Sequence, residues 1–364
     1  MPANDSLEFA RRVLAWHGQH GRHNLPWQET PPDPYKIWVS EIMLQQTQVA
    51  TVIPYFLRFM QRFPRLENLA IASEQEVLAL WSGLGYYRRA RNLHACAQQI
   101  VQMHGGRFPR TAQELARLPG IGRSTAAAIA AVVFQERAAI LDGNVKRVLA
   151  RVTRAQAPWQ SPLLERLLWQ EATQRLPRHV CDMPAYTQAI MDLGALVCRA
   201  RAPLCEQCPV SQLCAAYVHG QVDQYPLPKA KRALPTRKAY WAVLLSGHGV
   251  WLQQRPDRGI WPGLWLPWEL DLRHEPPGWK HTVSGLREVR TIRHTLTHCR
   301  LDIETGVIDW LKMHAPEGAP STLQFFSWRQ AFALALPAPV RSVLLRLCPF
   351  ETKTDDERCT RISV

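Results

Sequence analysis

Residues 111–152 read TAQELARLPGIGRSTAAAIAAVVFQERAAILDGNVKRVLARV. Thr111 with Glu114 three residues later is a capping box, so a helix begins there. Pro119-Gly120-Ile121-Gly122 stops it, because proline removes a donor and glycine permits positive φ. Ser124 and the alanine-rich run to Phe134 form a second helix. Two helices joined by a tight glycine hairpin aim backbone N–H groups out of a helix N-terminus, an arrangement that binds phosphate. Asp142 stands just before Val145, Val148, Leu149 and Val152, spaced i, i+3, i+4, i+7 as on one helix face. It therefore reads as an N-cap, and the question is whether it is only that.

The chain has 364 residues and a formal net charge of +14. One to three domains fit that length. The positive excess is spread along the chain and points to a polyanionic partner over mere solubility. Nine cysteines are placed too unevenly for a disulfide scaffold: four fall between Cys198 and Cys214 and the rest are scattered. With no signal peptide at Met1, this suits a reducing cytoplasm and one metal site. No apolar run approaches the roughly 20 residues that span a membrane, so no membrane partner is expected.

Working outward, Leu7–His17 reads as a helix, and Tyr35–Phe63 as a long helical region with Ser40 as a cap and Pro54 as a kink or divide. Ser73 with Glu76 opens a helix to Trp81. Gly83-Leu84-Gly85-Tyr86-Tyr87-Arg88-Arg89 is a glycine turn carrying aromatic and basic residues into a helix that runs to about His104. Further helices are expected over Leu163–Arg175 and from Pro184 to near Cys198. Residues 1–225 thus form a helical domain, with the hairpin motif at about 111–134. Residues 226–238, rich in Pro, Lys and Arg, read as a linker. Beyond it, Tyr240–Leu245 and Val250–Gln254 around Gly247-His248-Gly249 read as a β-hairpin. His298–Ile303 alternates as a strand, Ala338–Leu347 is a last helix, and residues 351–364 are expected to be disordered.

Cys198, Cys205, Cys208 and Cys214 have the spacing C-x6-C-x2-C-x5-C. Four thiolates in one short segment can close around a single metal centre, and both zinc and a cubane iron–sulfur cluster take four cysteines. Spacing does not separate the two. Arg199 and Arg201 give the loop a basic face suited to a DNA-contacting anchor. Glu41 and Asp142 are acidic residues in apolar or amide-rich surroundings. A carboxyl pair can cleave a glycosidic bond, one protonating the leaving group and the other facing the developing cation. Taken singly, Glu41 reads as a surface helix residue and Asp142 as a cap.

LPGIGRSTAAAIA followed by LDGNVKRVLAR is similar to the helix-hairpin-helix and Gly/Pro-Asp signature of the endonuclease III superfamily of DNA glycosylases. SEIMLQQTQV, GLGYYRRARNL, MDLGALVC and the cysteine spacing narrow the resemblance to MutY-type adenine DNA glycosylases. The resemblance implies a mainly α N-terminal helix-hairpin-helix glycosylase domain with an iron–sulfur loop at 198–214, and an α+β Nudix-like C-terminal domain at 239–350. It implies a [4Fe–4S] cluster on the four cysteines. Glu41 matches the general acid, Asp142 the carboxylate that stabilises the oxocarbenium ion, and Asn144 its support. Gln46 and Leu84 match residues wedged into the base stack, and Tyr86 an aromatic that stacks there. Gly120 and Gly122 match the phosphate-holding hairpin. The implied partner is double-stranded DNA with adenine opposite 8-oxoguanine or G, bound by a monomer in a bacterial cytoplasm. Relatives with lyase activity carry lysine where this chain has Ser124. Serine cannot form a Schiff base, so a monofunctional enzyme is expected.

The second domain matches the one that reads the 8-oxoguanine strand. Leu286-Arg287-Glu288-Val289-Arg290 has one acid among basic residues, so no pyrophosphohydrolase activity is expected. The lesion-reading core, usually Phe-Ser-His, is here Leu296-Thr297-His298, which keeps a hydroxyl at Thr297 and a donor at His298 but loses the ring. Two rivals remain: another glycosylase of the superfamily, and a non-catalytic DNA-binding protein. Ser124 and the second domain argue against the first, and the presence of both Glu41 and Asp142 argues against the other.

Overall fold

The computed structural model describes residues 3–228, 233–270, 286–310, 314–316 and 318–349. The expected disordered tail at 351–364 and part of the expected linker, 229–232, lie outside the described residues. In chain order the helices are α1 (Ala3–His20), α2 (Pro34–Leu44), α3 (Val49–Arg62), α4 (Leu66–Ile71), α5 (Glu74–Leu80) and α6 (Arg88–His104). They continue with α7 (Ala112–Leu115), α8 (Arg123–Phe134), α9 (Gly143–Thr153), α10 (Pro162–Gln174), α11 (Met183–Asp192) and α12 (Ala215–Val218). The chain divides into two compact units. The first is Met1–Ala72 with Arg88–Arg232; the second is Ser73–Tyr87 with Ala233–Val364. The first half is therefore not one uninterrupted body, because α5 and the glycine turn after it cluster with the C-terminal part.

Local signals set the helix starts. Thr111 accepts from the Glu114 N–H, and Ser73 and Glu76 form the full reciprocal box. α2 starts differently from expectation. Asp33 caps it, with its carboxylate 2.8 Å from the Tyr35 N–H and Pro34 at the first helical position. Ser40 lies inside α2, where its hydroxyl donates back to the Ile37 carbonyl at 2.8 Å. Pro54 does not divide the region: it sits within α3, flanked by buried Val52 and Phe56, and the break falls at 45–48. The interior of the first unit joins α1, α8, α9, α10 and α11 through Phe9, Val13, Ala127, Ala131, Val148, Leu149, Leu168 and Ile190.

In the second unit the strands are β1 (Thr236–Ser246), β2 (Gly249–Gln254), β3 (Trp265–Leu266), β4 (Trp268–Glu269), β5 (Leu286–Thr295), β6 (Arg300–Asp309) and β7 (Leu323–Ser327). α13 (Trp328–Ala333) and α14 (Ala338–Leu347) follow. The sheet order is β3-β2-β1-β6-β5, with β4 on β1 and β7 on β2. β1 and β6 run parallel, and the β1–β2 hairpin pairs Leu245 with Val250. Ala242, Leu244, Trp251, Trp268, Ile308 and Leu323 form one core of this mixed sheet. No helix among the described residues is long and apolar enough to cross a membrane.

Candidate active site

α2 carries Glu41 among the buried residues Ser40, Ile42 and Met43, and α2 packs on α8 and α6. Glu41 itself is half-buried. Burial pushes its carboxyl up to about 7, and the charge of Asp142 pushes in the same direction. A carboxyl near 7 is still half-protonated at neutral pH, which a general acid needs.

Asp142 is the N-cap of α9, its Oδ1 2.7 Å from the Val145 N–H. The Asn144 side chain donates to Oδ2 at 3.4 Å. Burial pushes Asp142 up, against the backbone N–H groups of Val145 and Asn144, the Arg147 charge and the Asn144 amide. The cap favours the charged form as its position suggests, yet burial outweighs it in the protein alone.

Sequence reasoning missed what holds Asn144. Arg147 donates to Asn144 Oδ1 at 2.8 Å, to the Gly194 carbonyl at 2.8 Å and to the Cys198 carbonyl at 2.8 Å. Gly194 lies in a π-helical turn, Leu193–Val197, closed by the Cys198 N–H on the Leu193 carbonyl. A Cβ at Gly194 would stand 2.6 Å from Asn144 Cβ, so only glycine permits this approach. The signal was present in VKRVLAR: Arg147 and Arg151 are four apart and share one face of α9.

Arg151 continues the chain of contacts, with Nη1 3.3 Å from Cys198 Sγ and 2.7 Å from the Arg199 carbonyl. Cys198, Cys205, Cys208 and Cys214 face one another closely enough that neighbouring thiols, added to burial, raise Cys205, Cys208 and Cys214; Cys208 reaches about 12. A bound metal centre would hold these sulfurs as thiolates. The four thiols form an all-sulfur donor set of the kind that either a zinc ion or an iron–sulfur cluster takes, and donor chemistry alone does not separate the two. Arg199 and Arg201 are exposed on the loop.

In the hairpin, Gly120 has φ 75, and a Cβ there would meet Asn92 Cβ at 2.5 Å. Gly122 is the exposed N-cap of α8. Ser124 is the second residue of α8 and does not start it; its hydroxyl accepts from the Leu141 N–H at 2.9 Å, beside Asp142. Gln46 is exposed in the α2–α3 break at φ 59. These residues all belong to the first unit. Leu84, Tyr86, Thr297 and His298 belong to the second. Leu84 is 6% exposed, so the free protein keeps it covered, while Tyr86 is 47% exposed at φ 49. Thr297 and His298 are exposed in the β5–β6 turn, closed by the Leu296 N–H on the Cys299 carbonyl at 2.8 Å.

Residues 39–173 match the model of the HhH-GPD superfamily of base excision DNA repair proteins, 239–346 a NUDIX domain, and 198–214 the iron–sulfur binding domain of endonuclease III. The chain is therefore an iron–sulfur protein with a [4Fe–4S] cluster. The chain is 34% identical over 352 residues to the adenine DNA glycosylase of Buchnera aphidicola subsp. Baizongia pistaciae, covering 95% of this chain and 99% of that one. It is 39% identical over 313 residues to the adenine DNA glycosylase of Mus musculus, covering 72% of this chain and 60% of that one. Among solved structures, a thermostable thymine-DNA glycosylase superimposes with a TM-score of 0.53 at 27% identity, covering 59% of this chain and 98% of that one. A two-unit chain with a hairpin, a carboxyl pair and an iron–sulfur loop, so closely related over nearly its whole length, belongs to the adenine DNA glycosylase family of base excision repair enzymes.

Proposed function

We propose that this glycosylase hydrolyses the N-glycosidic bond of adenine mispaired with 8-oxoguanine or G in duplex DNA, and leaves the phosphodiester backbone intact. The observation that carries the reading is the carboxyl pair: Glu41 raised to about 7, with the charge of the capped, half-buried Asp142 acting on it. Glu41 gives its proton to a ring nitrogen of the flipped adenine. The C1′–N9 electron pair leaves with the base. Water adds to C1′, and its proton passes to the Glu41 carboxylate. Asp142, held by Val145 and Asn144, faces the cationic sugar, and that positive charge offsets the burial that raises it.

Flipping a base costs a few kcal/mol. Gln46, Leu84 and Tyr86 offset this cost by filling the gap, while the N–H groups around Gly120 and Gly122 hold phosphate. The cluster supplies a rigid cross-link for the basic 198–214 loop. Thr297 and His298 read the base opposite. Ser124 carries no amine, so no Schiff base forms. The first unit carries catalysis and the C-terminal unit, with 73–87 clustered to it, lesion reading, and a monomer in the bacterial cytoplasm performs both.

The test is a panel of duplexes with A opposite 8-oxoguanine, A opposite G, thymine glycol and undamaged pairs, with abasic sites revealed by alkali. Adenine release from the first two only is expected, falling about tenfold per pH unit above the Glu41 value. Release that survives Glu41→Gln, or strong borohydride trapping on DNA, would overturn the reading.

A further inference from the structure

The turn that carries Tyr86 is tied down in an unusual way. Three of the residues 83–87 have left-handed backbone: Gly83 at φ 102, Gly85 at φ 71 and Tyr86 at φ 49. The glycines adopt it freely, but Tyr86 carries a Cβ, and there such a backbone persists only where surrounding contacts over-determine it. Here the contacts come from the C-terminal part of the chain. Ser82 Oγ donates to the Leu336 carbonyl at 2.8 Å, and the Tyr87 hydroxyl donates to the same carbonyl at 2.7 Å. The Tyr87 oxygen also accepts from the Gly83 N–H at 3.2 Å, so one hydroxyl closes the loop and fastens it. Leu336 is fully buried between α13 and α14.

The fastening continues into the sheet. The neighbouring Ala335 carbonyl accepts from the Trp265 N–H at 3.0 Å. The Trp265 indole donates to Gln75 of α5, and Gln75 donates to the Gly263 carbonyl. Trp265 lies in β3, and the ladder β3-β2-β1-β6 ends in the strand that leaves the Thr297–His298 turn.

Given the proposed roles of Tyr86, Thr297 and His298, on which this rests, we infer that Tyr87 and Ser82 are positioning residues. They make the wedge loop part of the lesion-reading unit, so that insertion of Tyr86 and reading of the opposite base are carried out by one body. The discrimination between 8-oxoguanine and G then depends on two hydroxyls that touch neither base.

Single-turnover excision from A opposite 8-oxoguanine and A opposite G tests this, with Tyr86→Ala, Tyr87→Phe, Ser82→Ala and the wild type. Tyr87→Phe and Ser82→Ala are each expected to shrink the ratio of the two rates by about fivefold, the size of one lost buried hydrogen bond, while iron–sulfur absorbance and thermal midpoint stay near wild type. An unchanged ratio, or equal slowing of both substrates, overturns the inference. Should Tyr87→Phe fail to fold, Ser82→Ala on the same acceptor decides alone. Tyr86→Ala separates the two levels. If it leaves both rates unchanged, the wedge reading itself falls; if it slows excision while the fastening variants keep the ratio, only the fastening falls.

Discussion

Two loops hold a long side chain in left-handed backbone: Gln46 at φ 59 and Tyr86 at φ 49. For a residue with a Cβ this costs about 1–2 kcal/mol, so both loops need bracing. They receive it from different sources. The first is braced within the catalytic unit. Arg89 Nη1 donates to the carbonyls of Ile42, Met43 and Gln45 at 2.9, 2.9 and 2.5 Å, and Gln45 Nε2 donates to Thr125 of α8 at 3.2 Å. The second is braced by a carbonyl some 250 residues away in sequence, through Ser82 and Tyr87. One loop is thus fixed within the first unit, and the other to the C-terminal unit for which lesion reading is proposed. Strain at both proposed wedge positions suits residues that must stand out of the surface before DNA arrives.

The largest effect isolates the chemistry from both loops. Glu41→Gln should lower single-turnover excision about 10³-fold, with DNA affinity nearly unchanged. The same variant should gain stability in alkaline buffer. The Glu41 carboxyl is raised in the folded state, so the wild type loses stability as pH rises from its unfolded value of 4.5 to about 7, and glutamine does not. Denaturant unfolding at pH 8 should find the variant more stable by up to about 3 kcal/mol, and at pH 4 no difference. A variant less stable at pH 8 would mean the carboxyl is charged and well paired in the protein.

Next, Arg89→Ala removes a cation from three carbonyls and should cost about 3 kcal/mol in the catalytic unit, read as a lowered unfolding midpoint. A cost under about 1 kcal/mol would show that the first loop is self-supporting, and the contrast between the loops would disappear. Smaller again, Gln46→Gly and Tyr86→Gly relieve left-handed backbone. Each should stabilise by about 0.5–1 kcal/mol while slowing excision. Stabilisation at one loop only would identify which of the two truly stores strain. Of similar size is Ser124→Ala, which leaves the Leu141 N–H without its acceptor and should cost about 1 kcal/mol, with no gain of lyase activity.

What the sequence made legible was local. Thr111, Ser73 and Asp142 cap helices because the cap and its N–H partner lie three residues apart. The β1–β2 hairpin and the helix at Ala338–Leu347 are likewise set by nearest neighbours. The misreadings were long-range. By sequence Pro54 is the natural breaker between Tyr35 and Phe63, yet α3 runs through it with buried residues on both sides. The break at 45–48 is instead held by Arg89, which no nearby residue announces. Residues 73–87 read as one more helix and turn of the N-terminal domain, because nothing in their composition reveals that their acceptor is Leu336. In the site, the cysteines stood out by type and spacing, whereas Glu41 and Asp142, which taken singly read as a surface residue and a cap, were singled out by the family resemblance. Arg147 was signalled only by its spacing from Arg151, and Gly194 by nothing, since it acts through the absence of a side chain.

The acceptors that brace both loops, the carbonyls of Ile42, Met43, Gln45 and Leu336, belong to the main chain. No missense change deletes a main-chain carbonyl, so half of each brace is hidden from point mutation. Inherited damage to the loops therefore concentrates on the donors, Arg89, Ser82 and Tyr87, and among these a single lost hydroxyl leaves a folded, cluster-bearing protein whose fault is one of judgement between base pairs. Such alleles would pass assays of expression and iron content and be found only by comparing mutation spectra.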